Sequence, residues 1–163
     1  MLATPHMLAG AAIGKLLRRP NLAWPVAFAS HFVLDIVPHL DSHRLFGHPT
    51  GGLTRAEVAM AAVDTLVGIA LVCWVAWGQS DRRLLLFAAF FGLLPDFLDN
   101  IPWFGMWYRT WPVTAWFFHF HHAVQHNVRP SQWPLGFGTQ AVVSALALWV
   151  CWPRRPGPQP TED

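Results

Sequence analysis

Apolar residues gather in six runs along the chain, each closed by a short polar or Pro/Gly-rich break. No stretch alternates polar and apolar over a useful length, so a sheet is not expected. The runs predict helices over roughly 5–18, 22–39, 55–78, 82–99, 112–127 and 134–152. The breaks are Arg19-Pro20-Asn21, the loop 41–54, Gln79-Ser80-Asp81, Ile101-Pro102 and Arg129-Pro130. Thr4 is the expected N-cap of the first helix, with Pro5 in its first turn. The run over 55–78 is the clearest full membrane span, while several others sit near the ~17-residue lower limit for crossing a bilayer.

Composition sharpens this pattern. With 53% hydrophobic residues, ten tryptophans and only 12% charged residues, the chain lies far from the soluble average of about 25% charged. Its mean hydropathy is positive. The expected fold is an all-α integral membrane bundle of about six segments. One domain is expected over 1–152, with a disordered polar tail over 153–163. Most tryptophans fall near predicted helix ends, as an interfacial belt would place them.

Lys15, Arg18 and Arg19 follow the first apolar stretch, the reverse of a signal peptide. The net charge of +2 and the scattered arginine pairs exclude a nucleic-acid footprint. Cys73 and Cys151 sit in separate apolar runs and read as buried thiols.

The informative residues are ionisable groups inside the apolar runs, where each costs several kcal/mol unless it pairs or binds something. At about 100° and ~1.5 Å per residue, His31, Asp35 and His39 fall on one stripe, with Asp41 just beyond. His119, His122 and His126 share another stripe, from which His121 points away. Asp96 and Asp99 are neighbours at i, i+3, and Asp64 lies inside the third helix one heptad after Glu57. If the six helices alternate direction, His6, His39 with Asp41, Asp64, Asp96 with Asp99, and His119 all reach one face.

Imidazole and carboxylate donors without thiolate suit Zn²⁺, Mn²⁺ or Fe²⁺. The donors outnumber one tetrahedral site, so several metals, or a metal with acid/base groups, are expected. Bland readings stand beside these. His6 reads equally as a polar helix-start residue, Glu57 completes a capping-box spacing with Thr54, and His43 and His48 belong to a solvated loop. His31 with Asp35, or Asp96 with Asp99, also reads as a hydrogen-bonded pair joining helices.

The segments TPHMLAGAAIG, SHFVLDIVPHLD, LLPDFLDNIP and FHFHHAVQH resemble the bacterial inner-membrane proteins described as membrane-bound metal-dependent hydrolases. That group includes the LexA-regulated inner-membrane hydrolase and is distantly similar to zinc-dependent phospholipase C and the S1/P1 nucleases. The resemblance covers about residues 4–127. It implies a multi-pass inner-membrane protein that hydrolyses a phosphodiester or ester, with phospholipid the natural substrate and zinc the favoured metal. It implies metal-ligand roles for His6, His31, Asp35, Asp96 and His119 or His122. His39, Asp41, Asp64, Asp99 and His126 become further ligands or acid/base groups. Two departures are plain: the SHxxxD-type block precedes the LPD-type block here, and LPDFLDN places Asp99 one position later than the LPDIDHP type.

The rival reading is a transporter, or a metal- or proton-binding membrane protein, using the same stripes. Depth discriminates: a conduit needs polar groups along the whole span, whereas a hydrolase clusters them near one face. Under strict alternation, Lys15, Arg18, Arg19, Arg82, Arg83 and Arg129 share one side. Arg44, Arg55, Arg109, Arg154 and Arg155 share the other, the site side. The dense first cluster tilts its own side toward the cytoplasm.

Overall fold

The computed structural model describes residues 1–47, 54–100 and 102–152. His48 and the expected tail over 153–163 lie outside the described residues. Among the described residues there are eight α-helices: α1 Ala3–Leu17, α2 Pro20–Ile36, α3 Ser42–Phe46, α4 Arg55–Ala76, α5 Arg82–Asn100, α6 Pro102–Thr110, α7 Pro112–Val124 and α8 Trp133–Cys151. A single 3₁₀ turn, Pro130–Gln132, leads into α8. No strand forms among the described residues beyond a backbone bridge between His39 and Asn127. The six helices expected from the sequence are all there within a few residues of their predicted bounds. α2 stops at Ile36, with Val37 already extended, because the residue before Pro38 is pushed out of helical geometry.

Two short helices were not expected. α3 forms where Asp41 caps it, its Oδ1 accepting from Arg44 N at 2.8 Å. α6 matters more, because it changes the direction of everything after it. Alternation holds through α5: Gly10 meets Ala88 and Gly92 meets His6, so α1 and α5 are antiparallel. α6 follows, and its Tyr108 packs on Phe117 and Phe118 of α7. After this hairpin α7 runs parallel to α2, with Phe28 against Phe117 and His31 against His121. α8 in turn starts at the site end, where Gly136 meets Leu40. Strict alternation of six segments is therefore corrected: an extra reversal by α6 sends α7 toward the site instead of away from it.

The body is organised around α1, which packs against α2, α4, α5 and α8. Small residues make this possible. A Cβ on Gly92 would lie 2.6 Å from the His6 carbonyl oxygen, and one on Gly10 would overlap the Ala88 carbonyl. Glycine lets the two backbones touch, the usual device for helix contact when surrounding side chains gain little from burial. At the end of the bundle away from the histidines, Met7, Leu8, Ala11, Val72, Val75, Ala89, Ala147 and Cys151 form the apolar core. Lys15 with Asp81, and Gln79 with the Cys151 carbonyl, close that end.

Two helical stretches, Arg55–Ala76 and Pro130–Cys151, are long and apolar enough to cross a membrane. They are not interior helices: Val63, Leu66, Trp74, Val142, Leu146 and Trp149 are all more than half exposed. α6 and α7, at 9 and 13 residues, fall short of a crossing. Cys73, expected as a buried thiol, is exposed on α4, while Cys151 is buried as expected.

Gly92→Ala is expected to destabilise the protein by about 1–3 kcal/mol, the range for forcing volume into a packed contact. Gly138→Ala, whose new Cβ meets nothing within 4 Å, is expected to be neutral or up to about 1 kcal/mol stabilising. Thermal unfolding of the two variants in one detergent checks the contrast.

Candidate metal centre

His31 is the pivot of the cluster, and its chemistry is set by the α2–α5 contact. Its Nδ1 lies 2.8 Å from the Gly92 carbonyl oxygen. A carbonyl only accepts, so Nδ1 carries the proton and Nε2 presents a lone pair. That Nε2 is 3.0 Å from His121 Nε2 and 3.2 Å from Asp35 Oδ2. His121 Nε2 is in turn 3.3 Å from Asp35 Oδ2. Three donor atoms from α2 and α7 thus form a nearly equilateral triangle. Asp96 Oδ1 of α5 stands 3.4 Å from His121 Nε2 and 3.6 Å from His31 Nε2. Donors about 2.0–2.2 Å from a zinc-sized ion in tetrahedral array lie ~3.3–3.6 Å from each other. The triangle and Asp96 fall close to that spacing.

The other oxygen of Asp35 faces a second group. Oδ1 is 2.6 Å from the Met1 ammonium, 3.2 Å from His6 Nε2 and 4.0 Å from His39 Nε2. His6, His31, Asp35, His39 and His121 are all fully buried. His6 stacks on His31 with ring centroids 3.9 Å apart. Both nitrogens of His6, Nε2 of His39, Nδ1 of His121 and Oδ2 of Asp35 are buried without a hydrogen-bond partner. Buried polar atoms are nearly always satisfied in folded proteins. A pocket of buried, unsatisfied imidazole and carboxylate atoms, all of metal-ligand type, is chemically fitted to a divalent ion.

Sets of ligand atoms within 4.8 Å of one another are His6–His31–Asp96, His31–Asp35–His121 and Asp99–His121–His122. They share His31 and His121, so they form one continuous cluster. In the third set Asp99 Oδ2 is 2.9 Å from His122 Nε2, and Asp99 Oδ1 accepts from Arg109 Nε at 3.0 Å.

The loop that carries His39 is held by backbone. His126 N–H donates to the Asp35 carbonyl at 2.7 Å, His39 N–H to the His126 carbonyl at 3.1 Å, and Val128 N–H to the His39 carbonyl at 2.8 Å. Gln140 of α8 locks the same loop to the chain start. Its Oε1 accepts from Leu2 N at 2.9 Å, and its Nε2 donates to the Leu40 carbonyl at 2.9 Å. His39 Nδ1 donates to the Val37 carbonyl at 2.8 Å, leaving Nε2 as the lone pair facing Asp35.

The expected residues distribute unevenly. His6, His31, Asp35, His39, Asp96, Asp99 and His122 come together. His119 is exposed on α7 against Phe118 and belongs to none of the three sets. The side chain of His126 is exposed, and only its backbone serves the site. His121, read from the sequence as pointing away, is the central imidazole. The reason is α6: with α7 running toward the site, the stripe that faces α2 is Phe117 and His121, not His119 and His126.

Asp64 is engaged elsewhere, as an external cap of α1. Its Oδ2 accepts from Ala3 N at 2.5 Å and Thr4 N at 3.3 Å. Thr4 is therefore not the N-cap. It lies in the first turn, its hydroxyl donating to the Asp64 carbonyl at 2.8 Å. Asp41 caps α3, and Thr54 caps α4, its Oγ1 accepting from Glu57 N–H at 3.1 Å; the Glu57 carboxylate goes to His43 Nδ1 at 3.0 Å and does not complete the capping box. Gln140 and Arg109 had no signal in the linear pattern. His121 had one: Phe117 and His121 are spaced i, i+4, matching the Phe28 and Phe32 stripe of α2.

Comparison with protein-family models, with curated proteins and with solved structures finds no match.

Two outcomes are expected from this geometry. Gln140→Leu leaves Leu2 N–H and the Leu40 carbonyl without their partner, at a cost of about 1–3 kcal/mol for each buried group left unmade. Chemical or thermal denaturation reads the loss. His39 has its pKa lowered below the ordinary value by burial, and further by the nearby Met1 ammonium. A ring kept neutral in the fold contributes fully above its unfolded pKa of about 6.5. That contribution is lost as pH falls from there toward the folded pKa, because the unfolded chain takes up the proton first. In His39→Gln the acid-side loss of stability is expected to be shallower, as thermal melts between about pH 7 and 5 would record.

Proposed function

We propose that this chain is a membrane-embedded, divalent-metal-dependent hydrolase of a phosphodiester or ester, with a phospholipid-like substrate. The observation that carries the reading is the triangle of His31 Nε2, His121 Nε2 and Asp35 Oδ2, with edges of 3.0–3.3 Å and Asp96 beside it. His31, His121, Asp35 Oδ2 and Asp96 would hold one ion, and His6 and His39 with Asp35 Oδ1 would offer a second position across the same carboxylate. Zinc suits this donor set best, with manganese or iron the alternatives. When bound, such an ion supplies Lewis acidity, acidifying a water ligand and drawing charge from the scissile group.

The chain's own residues do the rest. Gly92 and Val37 carbonyls fix the tautomers of His31 and His39, the outer hydrogen bonds that orient metal-binding imidazoles. Asp35 balances the cationic side of the cluster through both oxygens.

A multi-pass inner-membrane setting is supported by the exposed apolar faces of α4 and α8. Helices apolar all round are at home in a core or a bilayer, and these are not in the core. The cluster's position also bears on the transporter reading. Between Asn21 at its start and Ser30, α2 carries no charged or amide side chain, and these turns bury Ala23 and Ala27. That distribution suits a centre near one end of the bundle better than a path along it.

Metal analysis of the detergent-purified full chain tests the reading. Stoichiometric zinc, manganese or iron is expected in the wild type. It should be lost in Asp35→Ala, Asp96→Ala and His121→Ala, and retained in His119→Ala and His126→Ala. Metal-loaded wild type is expected to turn over a phosphodiester or phospholipid substrate, with activity at least a hundredfold lower in His121→Ala. Folded wild type that takes up no metal after reconstitution would sink the proposal.

A further inference from the structure

Beside the cluster stands a group of residues that metal binding does not need. Arg109, near the end of α6, is about half exposed. It gives Nε to Asp99 Oδ1 at 3.0 Å and Nη2 to the Asp99 carbonyl at 3.0 Å. This grip uses one edge of the guanidinium fork and leaves Nη1 directed away from the carboxylate. The same side chain lies over the Phe118 ring, 5.2 Å from its centroid. His122 packs on Phe118 as well, with centroids 4.3 Å apart, while its Nε2 binds Asp99 Oδ2. Tyr108 is buried next to this group, and its hydroxyl has no hydrogen-bond partner.

Each feature argues for a ligand more than for a brace. A staple between α5 and α6 would be complete with Asp99 and the guanidinium alone. It would not need a buried hydroxyl left unmade at a cost of about 1–3 kcal/mol. Nor would it need the guanidinium laid over an aromatic ring with Nη1 turned from the carboxylate, an arrangement that suits recognition of phosphate. The position fits too. Asp99 follows Asp96 by one helical turn, and Asp99, His122 and the central His121 have ligand atoms within 4.8 Å of each other. An oxyanion bound to Arg109 would therefore sit at the edge of the cluster.

We infer that Arg109, with the Tyr108 hydroxyl and His122, forms an anion subsite that takes the non-bridging oxygens of a phosphate group and positions it against the cluster. Asp99 and Phe118 are positioning residues: the carboxylate holds Arg109 and His122 side by side, and both pack on the ring. The subsite rests on the hydrolase reading for its purpose but not for its existence. It selects among the substrates left open above, favouring a phosphate ester over a neutral carboxylic ester. The phosphate belongs either to a lipid headgroup or to a soluble molecule.

Calorimetric titration of the metal-loaded full chain in dodecyl maltoside tests this, with inorganic phosphate in one arm and phosphatidic acid in mixed micelles in the other. Binding is expected in at least one arm. Affinity should fall at least tenfold in Arg109→Gln, fall less in Arg109→Lys, and stay unchanged in Arg83→Gln, an exposed arginine elsewhere. Arg109 dependence with phosphatidic acid alone assigns a lipid headgroup, and with inorganic phosphate it assigns a soluble phosphate. Equal affinity in wild type and Arg109→Gln, or no binding in either arm, overturns the subsite. If Arg109→Gln loses its metal and so its fold, Tyr108→Phe carries the test, with a several-fold loss expected and no change counting against it. The two readings fail separately. Arg109-dependent binding without ester turnover keeps the subsite and removes the hydrolase, whereas turnover with Arg109-independent binding does the reverse.

Discussion

A fully buried carboxylate, Asp35, is the constraint around which the cluster is built. An ion of that size loses several kcal/mol of hydration on burial, and only close partners on both oxygens recover it. One oxygen faces His31 and His121, and the other faces His6, His39 and the Met1 ammonium. These partners come from α1, α2, α7 and the loop after α2. Asp35 therefore requires elements distant in sequence to arrive at one point with side chains aimed inward, and its own backbone carbonyl is tied to His126 as well.

Close backbone approach is what allows so many groups to converge. Because Gly10 and Gly92 carry no Cβ, α1 and α5 touch along their length, and this brings His6 over His31 while setting the Gly92 carbonyl against His31 Nδ1. A packing device at the helix interface thus places a proton on Nδ1 of an imidazole in the site. The link between stability and chemistry is direct here: moving α5 outward by an ångström would free Nδ1 and loosen the tautomer that gives Nε2 its lone pair. Asp64 and Gln140 work in the same sense, fixing the start of α1 to α4 and α8 so that His6 is held in register.

The electrostatic layout has two zones. The inner zone is fully buried and gathers the imidazoles of His6, His31, His39 and His121 around Asp35. The outer zone, built on Asp99, carries Arg109 and His122 at the surface. Between them stands His121, which shares ligand sets with both.

Much of this was legible in the linear pattern. The six long helices follow from runs of apolar residues closed by Pro, Gly and polar breaks, which act locally. His31 and Asp35 on one face follow from helical periodicity alone, whereas His39 lies past the end of α2 and faces Asp35 from the loop. Periodicity also places Asp96 and Asp99 one turn apart on α5, and the N-cap of α4 by Thr54 on Glu57 N–H needs only a three-residue spacing. What the pattern could not set was direction and distance across the fold. α6 is too short and too mixed to announce a reversal, yet that reversal turns α7 so that His121 enters the cluster and His119 does not. Asp64 looked like a buried acid because nothing local shows that the N-terminus of α1 docks beside it. Periodicity determines which residues share a face. Only the packing of backbone against backbone decides which face points inward, because that choice depends on contacts between residues tens of positions apart.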